Sequence, residues 1–270
     1  MSTSHIVLVL LAGVWSGTIN SVVGSGTLVT FPILISLGVP PVVATMSNAV
    51  GLVPGSITGS YGYRRELAGQ YRRLRVLVPA SLLGSVCGAW LLLHLPEHAF
   101  ASIVPVLVAG ALLLVVTQPM INRWLQSRRR PGEARSSPVA GAGTAEPRSG
   151  RARTVALWLS VFACGIYGGY FAAAQGIMLM GVLGVLVADS LQRLNALKNA
   201  LALVVNVVAA SSYTLVGWDR IDWPIAGLIA AGGTVGGIIG SRMGRRLSPV
   251  VLRTCIVALG VVAMYNILRV

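Results

Sequence analysis

The chain has 270 residues, 55% of them hydrophobic and 10% charged, with a formal net charge of +14. Soluble domains carry about 25% charged residues, so this composition, with a mean hydropathy of +0.78, excludes an ordinary water-soluble globular domain. Almost all the arginines fall between apolar runs, at Arg64–Arg75, Arg123–Arg153 and Arg242–Arg253, which is the pattern of cytoplasmic membrane loops and not of a nucleic-acid-binding face.

The first segment, MSTSHIVLVLLAGVW, lacks the basic n-region of a cleavable signal peptide, so Ile6 onward reads as a retained first helix. Its continuation, NSVVGSGTLVTFP from Asn20 to Pro32, sets Asn20, Ser21, Ser25, Thr27 and Thr30 around a Gly-Ser-Gly core inside an apolar region. Val42–Tyr61 follows as a crossing helix, then an Arg-rich loop, then spans at Val76–Leu93 and Phe100–Val116. These runs approach the ~20 residues a membrane-spanning helix needs. Residues 126–153 mix Arg, Pro, Gly, Ser and Ala without apolar period and read as a flexible cytoplasmic linker. Beyond it lie Val155–Leu186, Asn195–Val216 and a last apolar run at Val250–Leu268.

The linker divides two halves that resemble each other, residues 1–125 and 154–270. GVWSGTINSVVGSG from Gly13 aligns with GIYGGYFAAAQGIM from Gly165, pairing Gly13, Gly17 and Gly24 with Gly165, Gly169 and Gly176. SNAV at Ser47 aligns with KNAL at Lys198, Ser60-Tyr61 with Ser212-Tyr213, and GSVCG at Gly84 with GTVGG at Gly233. The shared order points to an internal duplication. After the Ser-Tyr pair the first half continues with arginines and the second with GWDRIDW; after the glycine motif the bias reverses. Equivalent loops therefore lie on opposite faces.

Those charges require an odd number of crossings between Thr154 and Val216. Val155–Leu186 is therefore expected to enter the membrane and return, and by symmetry Ile6–Leu37 does the same, with tips near Gly24-Ser25-Gly26 and Gln175-Gly176. The expected fold is an all-α polytopic membrane protein of two inverted-topology repeats, each starting with a broken or re-entrant helical hairpin. Irregular backbone at membrane depth is tolerated where it is buried in protein or lines a cavity, and the freed helix N-termini favour an anion. The GxxxG pairs Gly84/Gly88, Gly233/Gly237 and Gly236/Gly240 read instead as close helix packing.

The seven carboxylates, Glu66, Glu97, Glu133, Glu146, Asp189, Asp219 and Asp222, fall in loops or at helix ends, and His5, His94 and His98 are peripheral. A carboxylate proton or sodium relay, metal-dependent hydrolysis and intramembrane proteolysis lack their residues; no enzyme, cofactor or metal site is expected. Cys87, Cys164 and Cys255 sit singly in apolar helices as inert thiols. What the helices do hold is neutral or basic: Asn20, Ser25, Thr27, Ser47 and Asn48, then Gln175, Asn195, Lys198, Asn199 and Asn206. Lys198 is the only lysine, and its spacing puts it on one helix face with Asn195 and Asn199. It either snorkels to the surface or supplies charge to an anion site between the hairpin tips, with hydroxyl and amide donors around it. The expected substrate-binding set is Asn20, Gly24, Ser25, Gly26, Thr27, Ser47, Asn48, Gln175, Gly176, Asn195, Lys198 and Asn199.

The stretch GTINSVVGSGTLVTFPILISLGVPPVVATMSNAVGLVPGSITGSYGYRREL, with GGYFAAAQGIMLMGVLG, RLNALKNALALVVN and GGIIGSRMGRRL, resembles the TauE/SafE family of sulfite and organosulfonate exporter-like permeases. The resemblance covers nearly the whole chain except the linker. It implies a transporter with internal repeats that exports sulfite, sulfoacetate or related sulfur anions, driven by membrane potential or the substrate gradient. The second glycine-rich turn of many members is reduced here to AAAQGIM. A passive anion channel, a permease for another small solute and a scaffold acting through the linker are the alternatives. The expected location is the inner (plasma) membrane, multi-pass, with the lipid bilayer and a small anion as partners, no nucleic acid, and a homodimer left open.

Overall fold

Ser2 opens the first helix by accepting a hydrogen bond from the His5 N–H, a side-chain N-cap that satisfies one of the free amides of the first turn. From there the computed structural model runs as helix after helix, describing residues 2–127 and 149–243 together with Thr254, Val257 and Ala258. The elements are α1 (Thr3–Val22), α2 (Thr27–Ser36), α3 (Pro41–Gly62), a single turn α4 (Arg64–Leu67), α5 (Tyr71–His94), α6 (Glu97–Ser127), α7 (Ser149–Tyr170), α8 (Gln175–Leu186), α9 (Leu191–Val216), a 3-10 turn at Trp218–Arg220 and α10 (Trp223–Met243). No strand occurs among the described residues. Starts follow local chemistry: Pro41 stands in the first turn of α3, Ser190 accepts from the Arg193 N–H at the start of α9, and the Asp222 carboxylate accepts from the Ile225 N–H at the start of α10.

Helices α1, α5, α7, α9 and α10, with the His98–Met120 part of α6, are long and apolar enough to cross a membrane. Helix α3 has the length, 22 residues, but mixes Thr45, Ser47, Asn48 and Ser56 into its sequence, and those side chains are buried. Several boundaries differ from expectation. Helix α5 begins at Tyr71, not Val76, because Arg72, Arg73 and Arg75 extend it as a charged first turn. Helix α6 runs past Val116 to Ser127, and α7 starts at Ser149, so the two ends of the expected linker are helical. Residues 128–148, and all of the expected span Val250–Leu268 except Thr254, Val257 and Ala258, lie outside the described residues.

Two of the expected apolar stretches fold as broken hairpins. Helix α2 returns along α1, bringing Val29 and Ile33 to a groove shared with Leu8, Leu11 and Trp15. Helix α8 returns along α7, so that Arg153 Nε donates to the Leu186 carbonyl, 2.9 Å away. Both ends of the second hairpin therefore lie at one end of the molecule.

Helix directions follow from the register of close contacts. Gly13 approaches Ile229 and Gly232, and Gly17 approaches Gly233, so α1 and α10 run parallel. Gly51 meets Ile229 and Gly62 meets Ser241, so α3 runs with them. Gly84 faces Gly165 and Gly88 faces Gly169 and Tyr170, which makes α5 and α7 parallel. Gln70 pairs with Arg193 and Ser85 with Val205, adding α9 to that set. The two sets are opposed, since Ser60 bonds Asn199 while Ser56 bonds Asn206. Glycine pairs such as Gly17–Gly233 and Gly84–Gly165 let backbones pack without intervening side chains, as small-residue membrane interfaces do. Apolar packing forms one cluster from α1, α2, α3, α6 and α10 with the α7–α8 break and the ends of α5 and α9, and a second from α5, α7, α8 and α9.

At the arginine-rich end, Asp189 clasps two elements together. Its carboxylate takes Arg73 Nη1 at 2.6 Å and Arg193 Nε at 2.9 Å, and Arg193 also donates to the Ala68 carbonyl. Burial by itself pushes Asp189 up, but the Ser190 N–H and the two guanidiniums draw it below the usual aspartate value. A depressed carboxylate contributes stability that is complete above about pH 4 and lost as pH falls through the folded-state value. Asp189→Asn should therefore lower the thermal midpoint modestly at pH 7, and the gap to the parent protein should close below pH 4 in a pH series of melting curves.

Candidate functional site

Helix α1 stops inside the bundle because Ile19 spends its carbonyl on two amides at once, those of Val23 (2.7 Å) and Gly24 (3.0 Å). Gly24 then turns the chain at φ +91°, a left-handed conformation that costs a residue with a Cβ roughly 1–2 kcal/mol. The second break closes the same way: the Tyr167 carbonyl takes the amides of Phe171 (2.9 Å) and Ala172 (3.1 Å), with Ala172 at φ +62°. The residue opposite Gly24 is thus Ala172, not Gly176. The expected tip at Gln175-Gly176 is displaced to Phe171–Ala174, and Gln175 and Gly176 form the first turn of α8. The two breaks nevertheless meet, for Gly176 N–H donates to the Gly24 carbonyl at 3.0 Å. A Cβ on either glycine would press into the backbone of the other.

A helix that ends leaves its last carbonyls without intrahelical partners. Helix α9 supplies donors for those of α1 from one face. Lys198 Nζ donates to the Asn20 carbonyl (3.3 Å), and Asn199 and Asn195 side-chain amides donate to the Ser21 carbonyl (3.1 and 3.4 Å). A cation there also meets the negative end of the α1 dipole. Lys198 does not snorkel: it is 1% exposed, and its ammonium lies 3.3 Å from where a Cβ of Gly24 would stand. Among the described residues Lys198 forms no ion pair, so this buried ammonium has no carboxylate partner there.

The start of α2 follows directly on Gly24. Gly26 precedes it with no side-chain cap, and among the described residues the amides of Ser25, Gly26 and Thr27 donate to no backbone or side-chain acceptor. The Ser25 hydroxyl and the Gln175 side-chain nitrogen are buried and unpartnered. Thr27 and Thr30 are committed elsewhere: Asn48 donates to Thr27 Oγ1 at 3.1 Å and accepts from the Thr30 hydroxyl at 2.5 Å, fastening α2 to α3. Asn20 donates to Ser56 Oγ at 3.3 Å, which Asn206 also reaches at 2.8 Å.

The structure therefore gathers Asn20, Gly24, Ser25, Gly26, Thr27, Gln175, Gly176, Asn195, Lys198 and Asn199 around the two breaks, with Asn48 one layer behind. Ser47 is not among them. Its hydroxyl accepts the Asp222 N–H at 2.8 Å, at the far end of α3 where α10 begins. Neighbours in sequence on a helix point about 100° apart, so Ser47 and Asn48 serve different elements. Tyr213 was visible only as half of a repeated Ser-Tyr pair; buried, it donates its hydroxyl to the Gly169 carbonyl in the last turn of α7. Phe31 and Phe171 meet edge to face at 5.0 Å, and Phe100 packs on Phe171 and Tyr170, forming an aromatic layer beside the breaks.

A family model described as sulfite exporter TauE/SafE matches residues 9–267. Among curated proteins, the "Probable membrane transporter protein YfcA" of Escherichia coli K12 is 23% identical over 232 residues, covering 86% of this chain and 76% of that one. A "Probable membrane transporter protein" of Haemophilus influenzae is 22% identical over 236 residues, covering 87% and 84% respectively. No solved structure matches the chain.

Two substitutions probe the breaks. Gly24→Ala should cost about 1–2 kcal/mol in backbone strain alone and more through its collision with Gly176, whereas Gly181→Ala, with open space around it, should cost nothing. Asn48→Ala strands the Thr27 and Thr30 hydroxyls and should cost about 1–3 kcal/mol. Denaturant titration in detergent ranks the three.

Proposed function

We propose that this chain, which belongs to the TauE/SafE sulfite exporter family and is a membrane transporter, carries small sulfur-containing anions such as sulfite or sulfoacetate. The observation that carries the reading is Lys198: an ammonium buried between two helix breaks with no carboxylate beside it. Burying an unpaired charge costs several kcal/mol, and an arriving anion offsets that cost where a cation would add to it. The unpartnered Ser25 hydroxyl, the Gln175 amide nitrogen and the free amides at the start of α2 are all donors, and donors suit an oxyanion. In this reading Lys198, Ser25, Gly26, Thr27 and Gln175 contact the anion. Gly24 and Gly176 hold the breaks together, and Asn20, Asn48, Asn195 and Asn199 position them; Ser47 leaves the set.

The same reading treats the halves as inverted repeats, residues 1–125 and 154–270, joined by a cytoplasmic linker in the inner membrane. Its support is directional: α1 opposes α7, α3 opposes α9, and α10 opposes α5, while each hairpin packs on the glycine helix of the other half. Transporters of that plan place their sites at broken helices and alternate access by rocking one repeat against the other. Export follows from energetics, because a negative-inside potential favours outward movement of an anion by ~2.3 kcal/mol per charge per 100 mV. No carboxylate couple is then needed.

Counterflow in proteoliposomes tests this. Sulfite, sulfoacetate, thiosulfate, sulfate and acetate are compared with the intact protein and with Lys198→Gln. Saturable exchange of a sulfur anion that drops at least tenfold in the variant is expected. Exchange unchanged by Lys198→Gln would remove the lysine from the site, and exchange of no anion would remove the substrate class.

A further inference from the structure

A second basic feature lies apart from the breaks, at the arginine-rich end. The first turns of α5 and α7 and the last turn of α8 surround an open cavity of about 590 Å³. Its mouth carries Arg72, Arg73 and Arg153, and its wall continues into Leu77, Leu157 and Leu186. Cations thus stand over an apolar surface at the level where the spanning helices begin.

The charges there are far from balanced. No carboxylate is among the lining residues; Asp189, next to the lining residue Ala188, has both of its oxygens engaged by Arg73 and Arg193. Arg153 spends Nε on the Leu186 carbonyl, which fixes its plane over the end of α8 and leaves its two Nη groups without a partner among the described residues. Arg72 is exposed and has no hydrogen bond among the described residues. Three arginines line the cavity, and with Arg73 paired to Asp189 two of them, Arg72 and Arg153, keep their charge unbalanced at a concave surface. Guanidinium forks match phosphate oxygens in pairs.

We propose that this cavity binds the phosphate headgroup of an anionic phospholipid, with Arg72 and Arg153 on the phosphate and the first acyl methylenes on Leu77, Leu157 and Leu186. A free inorganic anion shares the phosphate chemistry but leaves the apolar wall wet, and the volume falls in the range of sites that take ligands far larger than sulfite. Basic pockets between spanning helices are where charged headgroups dock. The lipid would join the base of the α7–α8 hairpin, held by Arg153–Leu186, to α5 and the Asp189 clasp. Its binding would therefore steady one hairpin against its neighbour. The inference rests on the membrane embedding of the chain and not on the identity of the transported anion.

The test is lipid binding by native mass spectrometry and by thermal shift on the full chain in neutral detergent. Phosphatidylglycerol, phosphatidylcholine with identical acyl chains, and glycerol 3-phosphate are each added to the parent, to Arg72→Gln and to the double variant Arg72→Gln/Arg153→Gln. Phosphatidylglycerol should bind and raise the melting temperature, the other two should not, and affinity should fall about fivefold per arginine removed. Arg72→Gln alone, on an exposed side chain with no hydrogen bond among the described residues, keeps the test valid if the double variant folds poorly. Equal binding of phosphatidylcholine overturns the headgroup assignment. An equal shift with glycerol 3-phosphate makes this a free-anion site and overturns the lipid, and unchanged affinity in Arg72→Gln overturns the location.

Discussion

Backbone groups freed at membrane depth must find partners within the protein, because the hydrocarbon offers none. Everything distinctive here follows from two helices that stop short. Helix α1 ends at Val22 and α7 at Tyr170, each by a carbonyl that accepts two amides. The carbonyls of Asn20 and Ser21 then call for donors, which is why a polar face of α9 lies against them and why the only lysine of the chain is buried. The amides at the start of α2 need acceptors, and the protein provides none among its described residues. That asymmetry, with carbonyls satisfied and amides open near an unpaired ammonium, is what the proposed anion site rests on.

Close packing holds the breaks in register. The first helix of each hairpin lies on a glycine-rich helix of the other half, Gly17 on Gly233 and Gly165 on Gly84, so the backbones touch almost directly. Such interfaces are smooth and gain stability from van der Waals contact and not from interlocking side chains. The hairpins are thus each carried by the opposite half, and the tips touch through a single backbone hydrogen bond from Gly176 to Gly24. The aromatic layer of Phe31, Phe100 and Phe171 packs beside that contact.

Much of this was legible in the residues. Gly24 announces a break because a polar, glycine-rich stretch interrupts an apolar run, and the i, i+3, i+4 spacing of Asn195, Lys198 and Asn199 put them on one face. The second break was misplaced by four residues because its left-handed position is Ala172, which carries no glycine signal. Only tertiary support for the turn, shared with the Tyr167 carbonyl, holds an alanine there. Ser47 stands away from the breaks, bonded to Asp222, because adjacency to Asn48 in sequence says nothing of which neighbour each side chain meets. The early start of α5 was hidden by its arginines, which end an apolar run without ending a helix. The cavity at Arg72 and Arg153 was out of reach, since it forms between segments about 80 residues apart.

The account turns on an anion lying between the breaks, so the most direct measurement locates one. A structure determined with selenite, the heavier analogue of sulfite, would show by its anomalous signal where the oxyanion rests. The account predicts a selenium peak between Lys198 Nζ and the Ser25 hydroxyl, beside the first amides of α2. A peak elsewhere, with that space empty in a protein that still transports sulfite, would contradict it.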